Sequence, residues 1–241
     1  MGSPVPQCGA GLFTEKGVVI GMMKGCKIEL NFSRPPRSLV QALGNYPTSN
    51  LDDAMARLSA ISPAIRALNA SPLCGTALTV RLPAGDNLLF LKAIELAQPG
   101  DVLVVDAGGC EEHSLFGEIL SLECRLRGVA GIVADGYVRD LDAIAAMTDF
   151  AVYARGSNPN GPYKNGPGEI GTAVQIGGRV VRAGDIVVGD TDGVVIIPPA
   201  EAEDVLAGVQ AVQQREERLL AELRRGELPQ RAWVDEKLML R

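Results

Sequence analysis

Two short apolar runs, each closed by an acid, constrain this chain more than anything else in it. Asp101-Val102-Leu103-Val104-Val105-Asp106 is continuous apolar sequence between two aspartates, the pattern of a strand buried on both faces of a parallel sheet. Ile132-Val133-Ala134 is a second run, preceded by the small-residue turn at Gly128 and stopped by Asp135-Gly136. Between the two, Leu115, Ile119, Leu122 and Leu126 recur at helical spacing and predict a helix over about 112–127. A short helix over 139–147 and a strand over Phe150 to Ala154 follow. This β-α-β-α-β order implies a parallel core with right-handed crossovers.

The flanking sequence extends that core. Ser49 with Asp52 fits a capping box and predicts a helix over about 51–59. Thr76 to Leu82 reads as a strand, and Asp86 as the cap of a helix over about 87–97 that Pro99-Gly100 closes. Gly156 to Gly171 is a long loop rich in glycine and proline, a type usually kept for function or for oligomer contacts. Val174 to Val181 reads as a hairpin turned at Gly177-Gly178, and Ile186 to Val188 and Val194 to Ile197 as further short strands.

Residues 200–225 then predict one long charged helix whose Val205, Val209, Val212, Leu219 and Leu223 lie close to a heptad seam. Glu216 occupies the position the seam skips. It is either a solvated edge position or a carboxylate aimed at a neighbouring subunit. The expected organisation is an irregular arm or packed loop over 1–45, one α/β domain over 46–200, and a C-terminal helix and tail over 201–241 that makes oligomer contacts.

Composition narrows the function. A net charge of -6 argues against nucleic acid as the main partner. The sequence has no apolar run approaching a membrane span and no recognisable signal peptide. The five cysteines show no paired spacing, so a reducing cytoplasm is the expected location. His113 is the single histidine, and no Cys/His cluster suited to zinc is visible. A bound metal would therefore be a hard cation with oxygen ligands, Mg²⁺ or Mn²⁺. Cys110 and Cys124 read as small packing residues, and His113 as a partly exposed helix residue rather than a general base. Lys164 is either a flexible surface lysine or a contact to a substrate carboxylate from the next subunit.

The candidate chemistry gathers past the second run. Arg139 and Asp140 would stand just beyond a strand's carboxyl end, where open α/β sheets bind ligands. Arginine can grip a carboxylate with two parallel hydrogen bonds, and aspartate is a hard ligand for a cation. The loop 107–112 feeds the helix that carries Glu118, and free amides at a helix start favour anions. If that helix instead begins near Gly117, those amides belong to 117–120. The strands containing Val104 and Val133 are expected to be neighbours, which would bring the amides, Arg139, Asp140 and Glu118 together.

The ordered set Gly85-Asp86-Asn87, Gly100 to Asp106, Phe116-Gly117-Glu118, Arg127-Gly128, Gly131, Asp135 to Asp140, Gly166-Pro167-Gly168-Glu169 and Asp192-Gly193-Val194 spans about residues 48–200. It resembles the class II pyruvate aldolases that cleave 4-hydroxy-4-methyl-2-oxoglutarate. That family also holds the proteins named regulator of ribonuclease activity A. The resemblance implies a swivelling β/β/α domain, assembled as a homotrimer or a hexamer with sites between subunits. It implies that Asp140 holds the divalent metal and Arg139 the pyruvyl group. The amides of Gly117, Glu118, Ile119 and Leu120 would bind the substrate, and Glu118 would hold a proton-relaying water. An acid from the adjacent subunit's C-terminal region completes the family's site; Glu216 is the candidate for it here. The implied activity is metal-dependent cleavage of a 4-hydroxy-2-oxo acid to pyruvate, with oxaloacetate decarboxylation through the same enolate. The alternative is a non-catalytic protein that binds and regulates a ribonuclease.

Overall fold

The computed structural model describes residues 12–13, 19–20 and 23–239. A mixed sheet forms its centre. Strands β1 (Leu73–Arg81), β2 (Asp101–Asp106), β3 (Gly131–Asp135) and β4 (Ala151–Ala154) lie side by side in that order and run parallel. Val104 pairs with Val133 across β2 and β3, so the two apolar runs are neighbours as expected. Beyond the hairpin of β5 (Val174–Ile176) and β6 (Arg179–Val181), the strands β7 (Ile186–Gly189) and β8 (Val194–Ile197) extend the β1 edge antiparallel. Arg66–Ala67 closes the other edge against β4.

Both faces of the sheet are covered, which is why the central strands show no polar alternation. Leu103 and Val105 point to one face, where they meet helices α3 (Leu88–Leu96) and α4 (Glu118–Leu126) through residues such as Phe90 and Cys124, with Phe116 just before α4. Val102 and Val104 point to the other, under the β5–β6 hairpin with Val174, Ile176 and Val181. A third apolar layer joins β7 and β8 to helices α1 (Arg37–Leu43), α2 (Thr48–Ala54) and the 23-residue α6 (Ala202–Arg224) through Leu43, Leu51, Val205 and Val209. Short helices α5 (Leu141–Ala145) and α7 (Ala232–Lys237) complete the set.

Several expectations change. Of the two alternatives for 1–45, arm or packed loop, the packed one describes the part from residue 23: Val40 and Leu43 of α1 are buried, Lys27–Ile28 pairs with Glu169–Ile170, and Arg34 makes a two-pronged contact with buried Asp101 at 2.7 and 2.8 Å. The rest of the expected arm, 1–22, lies outside the described residues apart from the strand pair 12–13 and 19–20.

The capping box does not form. Helix α2 starts three residues earlier than expected, after Pro47, with no side-chain cap. Asp52 instead accepts from the amides of Ser59 and Ala60 and from the Ser59 hydroxyl. Helix α4 starts at Glu118, the later of the two starts considered. Its buried residues are Ser121 and Cys124, while Ile119 and Leu126 of the expected apolar stripe are 74% and 87% exposed. The C-terminal seam is real for Val205 and Val209, but Leu219 and Leu223 lie exposed beyond the domain. Glu216 accepts from Asn50 of its own chain at 2.8 Å. Among the described residues, no helix is long and apolar enough to cross a membrane.

Candidate active site

The loops after β2 and β3 open at the same sheet edge and are stitched together by backbone bonds. Leu115 N–H donates to the Tyr137 carbonyl at 2.8 Å and Arg139 N–H to the Phe116 carbonyl at 2.9 Å. Phe116 stacks on buried Phe90, with ring centroids 5.2 Å apart. That anchor delivers Gly117 and the start of α4 to Arg139 and Asp140.

Asp140 has a left-handed backbone, φ +59. Aspartate tolerates this region better than most residues, yet holding a non-glycine residue there still costs on the order of 1–3 kcal/mol. The twist turns its carboxylate onto the start of α4, where Oδ2 accepts the Glu118 N–H at 3.1 Å. Gly117 is glycine for a steric reason: a Cβ there would overlap Asp140 Oδ2 and lie 2.9 Å from Arg139 Cγ. Arg139 Nε stands 3.8 Å from Asp140 Oδ2, with both side chains nearly half exposed.

The expected amide cradle is thus shared. Asp140 takes the Glu118 amide, while those of Ile119 and Leu120 have no carbonyl behind them in the helix, and such helix-start amides favour anions. The Glu118 side chain is exposed and stands at the start of α4, beside the residues that line the cleft. Ile119, Leu120, Gly117, Arg139 and Asp140 border a cleft of about 190 Å³ together with Asn87, Phe116, Pro162 and Lys164. Arg139 and Asp140 also border an adjoining cleft of about 320 Å³ with Ser157 and Asn158.

The long glycine-rich loop forms one wall. Asp86, 4% exposed, accepts the Leu88 N–H and those of Asn165 and Gly166. Asn87 N–H and Tyr163 N–H donate to the Tyr163 and Gly85 carbonyls at 3.0 and 2.8 Å. His113 lies in the loop before α4, not in a helix. Its Nδ1 is 2.8 Å from the Gly161 carbonyl, which can only accept, and its ring packs on Tyr163 at 4.8 Å. These struts place Lys164 in the cleft of its own chain.

Asn87 stands in the Gly85-Asp86-Asn87 motif but had no role assigned from sequence. Asn87, not Asp86 as expected, takes the N-cap position of α3, with no side-chain cap, and only the fold turns it toward the cleft wall. Cys110 is a half-exposed loop residue whose thiol donates to Glu112 at 3.3 Å, not the packing residue expected. Cys124 is buried as expected, and burial pushes its thiol up to about 12.

The donor set can be compared with what different metals require. Among the described residues, no three His, Cys, Asp or Glu side chains gather into a ligand cluster. Asp140 offers one hard carboxylate beside open solvent. That suits an ion such as Mg²⁺, which keeps several waters and binds through one or two carboxylates plus its substrate, and it does not suit zinc.

Fold and cleft together define an α/β domain with a small cationic pocket, rimmed by one acid, at the carboxyl edge of its parallel strands. Comparison with known proteins gives that class a family. Residues 48–196 match the model of the RraA-like family, described as aldolase/RraA. A protein of Halalkalibacterium halodurans, provisionally named 4-hydroxy-4-methyl-2-oxoglutarate aldolase, is 37% identical over 71% of this chain and 81% of its own. The Streptomyces coelicolor protein RraAS2, titled an unusual member of the RNase ES inhibitor RraA family, superposes with a TM-score of 0.68 at 28% identity, covering 77% of this chain and 97% of that one. An uncharacterized Pseudomonas syringae protein shares the fold, with a TM-score of 0.72 at 23% identity over 82% and 97% of the two chains. The chain belongs to the RraA-like family.

Proposed function

We propose that this protein is a class II pyruvate aldolase, cleaving a 4-hydroxy-2-oxo acid to pyruvate and a second carbonyl compound. The observation that carries the reading is the strained Asp140, held by the Glu118 amide beside the Arg139 guanidinium and two free helix-start amides. A ribonuclease-binding surface would need none of these.

Asp140 would hold Mg²⁺ or Mn²⁺, which when bound would act as a Lewis acid toward the 2-oxo group. Arg139 would grip the carboxylate and 2-oxo oxygen, with the amides of Ile119 and Leu120 stabilising charge that grows there as the enolate forms. Retro-aldol cleavage removes the 4-hydroxyl proton, breaks the C3–C4 bond and leaves the pyruvate enolate, which is then protonated at C3. A water held by Glu118 would carry these protons. Loss of carbon dioxide from oxaloacetate yields the same enolate, so decarboxylation belongs to the same site.

The assembly proposed is a homotrimer or hexamer in the cytoplasm. The exposed Ile119 and Leu126 on α4 and the exposed Leu219, Leu220 and Leu223 on α6 support buried contacts between copies. Glu216 is tied to Asn50 of its own chain, so it would join a neighbour's site only by giving up that bond.

A coupled assay of pyruvate formation over a panel of 4-hydroxy-2-oxo acids and oxaloacetate tests the reading. Turnover should stop with chelator and return with Mg²⁺ or Mn²⁺. Full metal-dependent turnover by Asp140→Ala would overturn the metal assignment. Recovery of a bound ribonuclease, with no pyruvate formed from any substrate, would favour the regulatory reading.

A further inference from the structure

Asn87 is 2% exposed and borders the 190 Å³ cleft with Lys164, Arg139 and Asp140. Its amide orientation is set by the fold: Nδ2 donates to the Leu115 carbonyl at 2.8 Å. A flipped amide would put two acceptors against each other. Oδ1 is therefore the free end, and among the described residues this buried oxygen has no hydrogen-bond partner. A buried acceptor without a donor is an unsettled position that a ligand or an ordered water can settle.

The rest of the cleft is built in the opposite sense. The Arg139 guanidinium, the Lys164 ammonium and the amides of Ile119 and Leu120 all donate. Asp140 already spends an oxygen on Glu118, and the carbonyls of Leu115 and Tyr163 beside Asn87 already accept from its side-chain and backbone N–H groups. Carboxylate oxygens of a substrate match these donors and repel Asn87 Oδ1. The group that pairs with Asn87 must carry a proton, and in a 4-hydroxy-2-oxo acid at neutral pH the only such group is the 4-hydroxyl.

We propose that Asn87 Oδ1 accepts a hydrogen bond from the substrate's 4-hydroxyl and so selects hydroxylated acids at the binding step. This rests on the aldolase reading. The amide oxygen is not a base, so Asn87 leaves the proton where it is. The contact belongs to the bound ground state and is released when the hydroxyl ionises, so it acts on affinity rather than on bond breaking. Oxaloacetate carries carboxylate oxygens where the hydroxyl would lie and gains nothing from it.

The test compares Asn87→Ala and Asn87→Ser with the unmodified protein on a 4-hydroxy-2-oxo acid and on oxaloacetate. The KM for the hydroxylated acid should rise at least about tenfold relative to the KM for oxaloacetate, the scale set by leaving a buried polar group unpaired. KM values that move together, or a loss of kcat on both substrates with neither KM moved, would make Asn87 a structural residue and overturn the proposal. A second measurement needs no variant. With chelator present and turnover stopped, calorimetry on the unmodified protein should show the 4-hydroxy-2-oxo acid binding about tenfold tighter than its 4-deoxy counterpart. Equal affinities would overturn the proposal even if both variants fail to fold. Absence of pyruvate formation by the metal-loaded, unmodified protein would instead count against the aldolase reading.

Discussion

Asp140 Oδ2 sits 3.1 Å from the Glu118 backbone nitrogen, in space left open because residue 117 has no side chain. Helix start, glycine and acid are therefore one device. Its parts come from two loops that the parallel pairing of β2 and β3 brings to one edge.

Gly117→Ala tests that device. The new methyl group would push the Asp140 carboxylate off the helix and crowd Arg139. A displaced charge partner at an active site typically costs about 10²–10³ in rate. Pyruvate formation should fall by that order, while far-UV circular dichroism stays native. An unimpaired alanine variant would show that the Asp140 position is not needed for turnover.

Asp140 also permits a stability test separate from activity. Asp140→Ala removes the bond to the Glu118 amide and keeps the left-handed strain; Asp140→Gly removes both. Glycine should therefore leave the protein about 1 kcal/mol more stable than alanine in urea melts, although neither variant should show metal-dependent turnover. Equal stabilities would mean that the backbone relaxes when the carboxylate is lost.

Burial separates the cysteines. The Cys124 thiol is pushed up to about 12 by burial, with Glu123 adding to the effect. Burial also pushes Cys74 up to about 11. The thiolate is the nucleophile, so at pH 8 both should resist iodoacetamide in the folded protein and react on unfolding. Cys26 and Cys110, both partly exposed, should react before Cys74 and Cys124. Peptide mapping by mass spectrometry reads the order, and early labelling of Cys124 would contradict its place in the core.

What could be read from sequence follows from the range of the forces involved. The run Asp101–Asp106 is a strand to the residue, and the Gly177-Gly178 turn joins β5 to β6 as expected. In both, the signal lies within a few consecutive residues. The stretch 112–117 failed because its partners are distant: Ser114 N–H donates to the Asn160 carbonyl and Leu115 N–H to Tyr137. Those bonds hold it out of the helix that its leucine spacing suggested. The misread stripe on α4 has a related cause. Small Ser121 and Cys124 fit against the sheet side, leaving Ile119 and Leu126 outward, and periodicity alone cannot say which face the tertiary structure will take.

Of the candidate site, the residue types could be read from the sequence but not how the fold brings them together. Arg139 and Asp140 stood at a strand end in the sequence itself. That Asp140 would cap α4, and that Asp86 would pin the glycine-rich loop so that Lys164 enters the same cleft, depends on contacts spanning 22 and 79 residues.

The N-terminal segment packed against the sheet gives another check. Asp101 is 1% exposed, and Arg34 supplies its paired charge. Removing one partner leaves a buried carboxylate without compensation, which costs 3–5 kcal/mol in a fully buried pair. Arg34 is partly solvated and the Gln98 amide still serves Asp101, so about 2 kcal/mol is expected for Arg34→Ala. Urea denaturation measures it, and a loss below about 0.5 kcal/mol, the scale of a surface pair, would return this segment to the status of a loose arm.

Two acids should make stability depend on pH in opposite senses. Burial raises the Asp52 carboxyl, but the hydrogen bonds from Ser59 and Ala60 outweigh it and hold the group below the ordinary aspartate value of 3.8. The unfolded chain then binds the proton more readily, so the stabilisation from Asp52 is present above pH 3.8 and is lost as pH falls through the lower folded value. Asp185 goes the other way, because burial exceeds the help from the Arg182 amide and raises its carboxyl. Its favourable contribution is complete below 3.8 and is lost as pH rises through the folded value, leaving a penalty at neutral pH. Asparagine keeps an acceptor oxygen at either position. Asp185→Asn should therefore raise the melting temperature at pH 7 and Asp52→Asn should lower it, with both differences shrinking as melts are repeated toward pH 3. A fall in melting temperature for Asp185→Asn at pH 7 would show that the buried charge is compensated by more than the Arg182 amide.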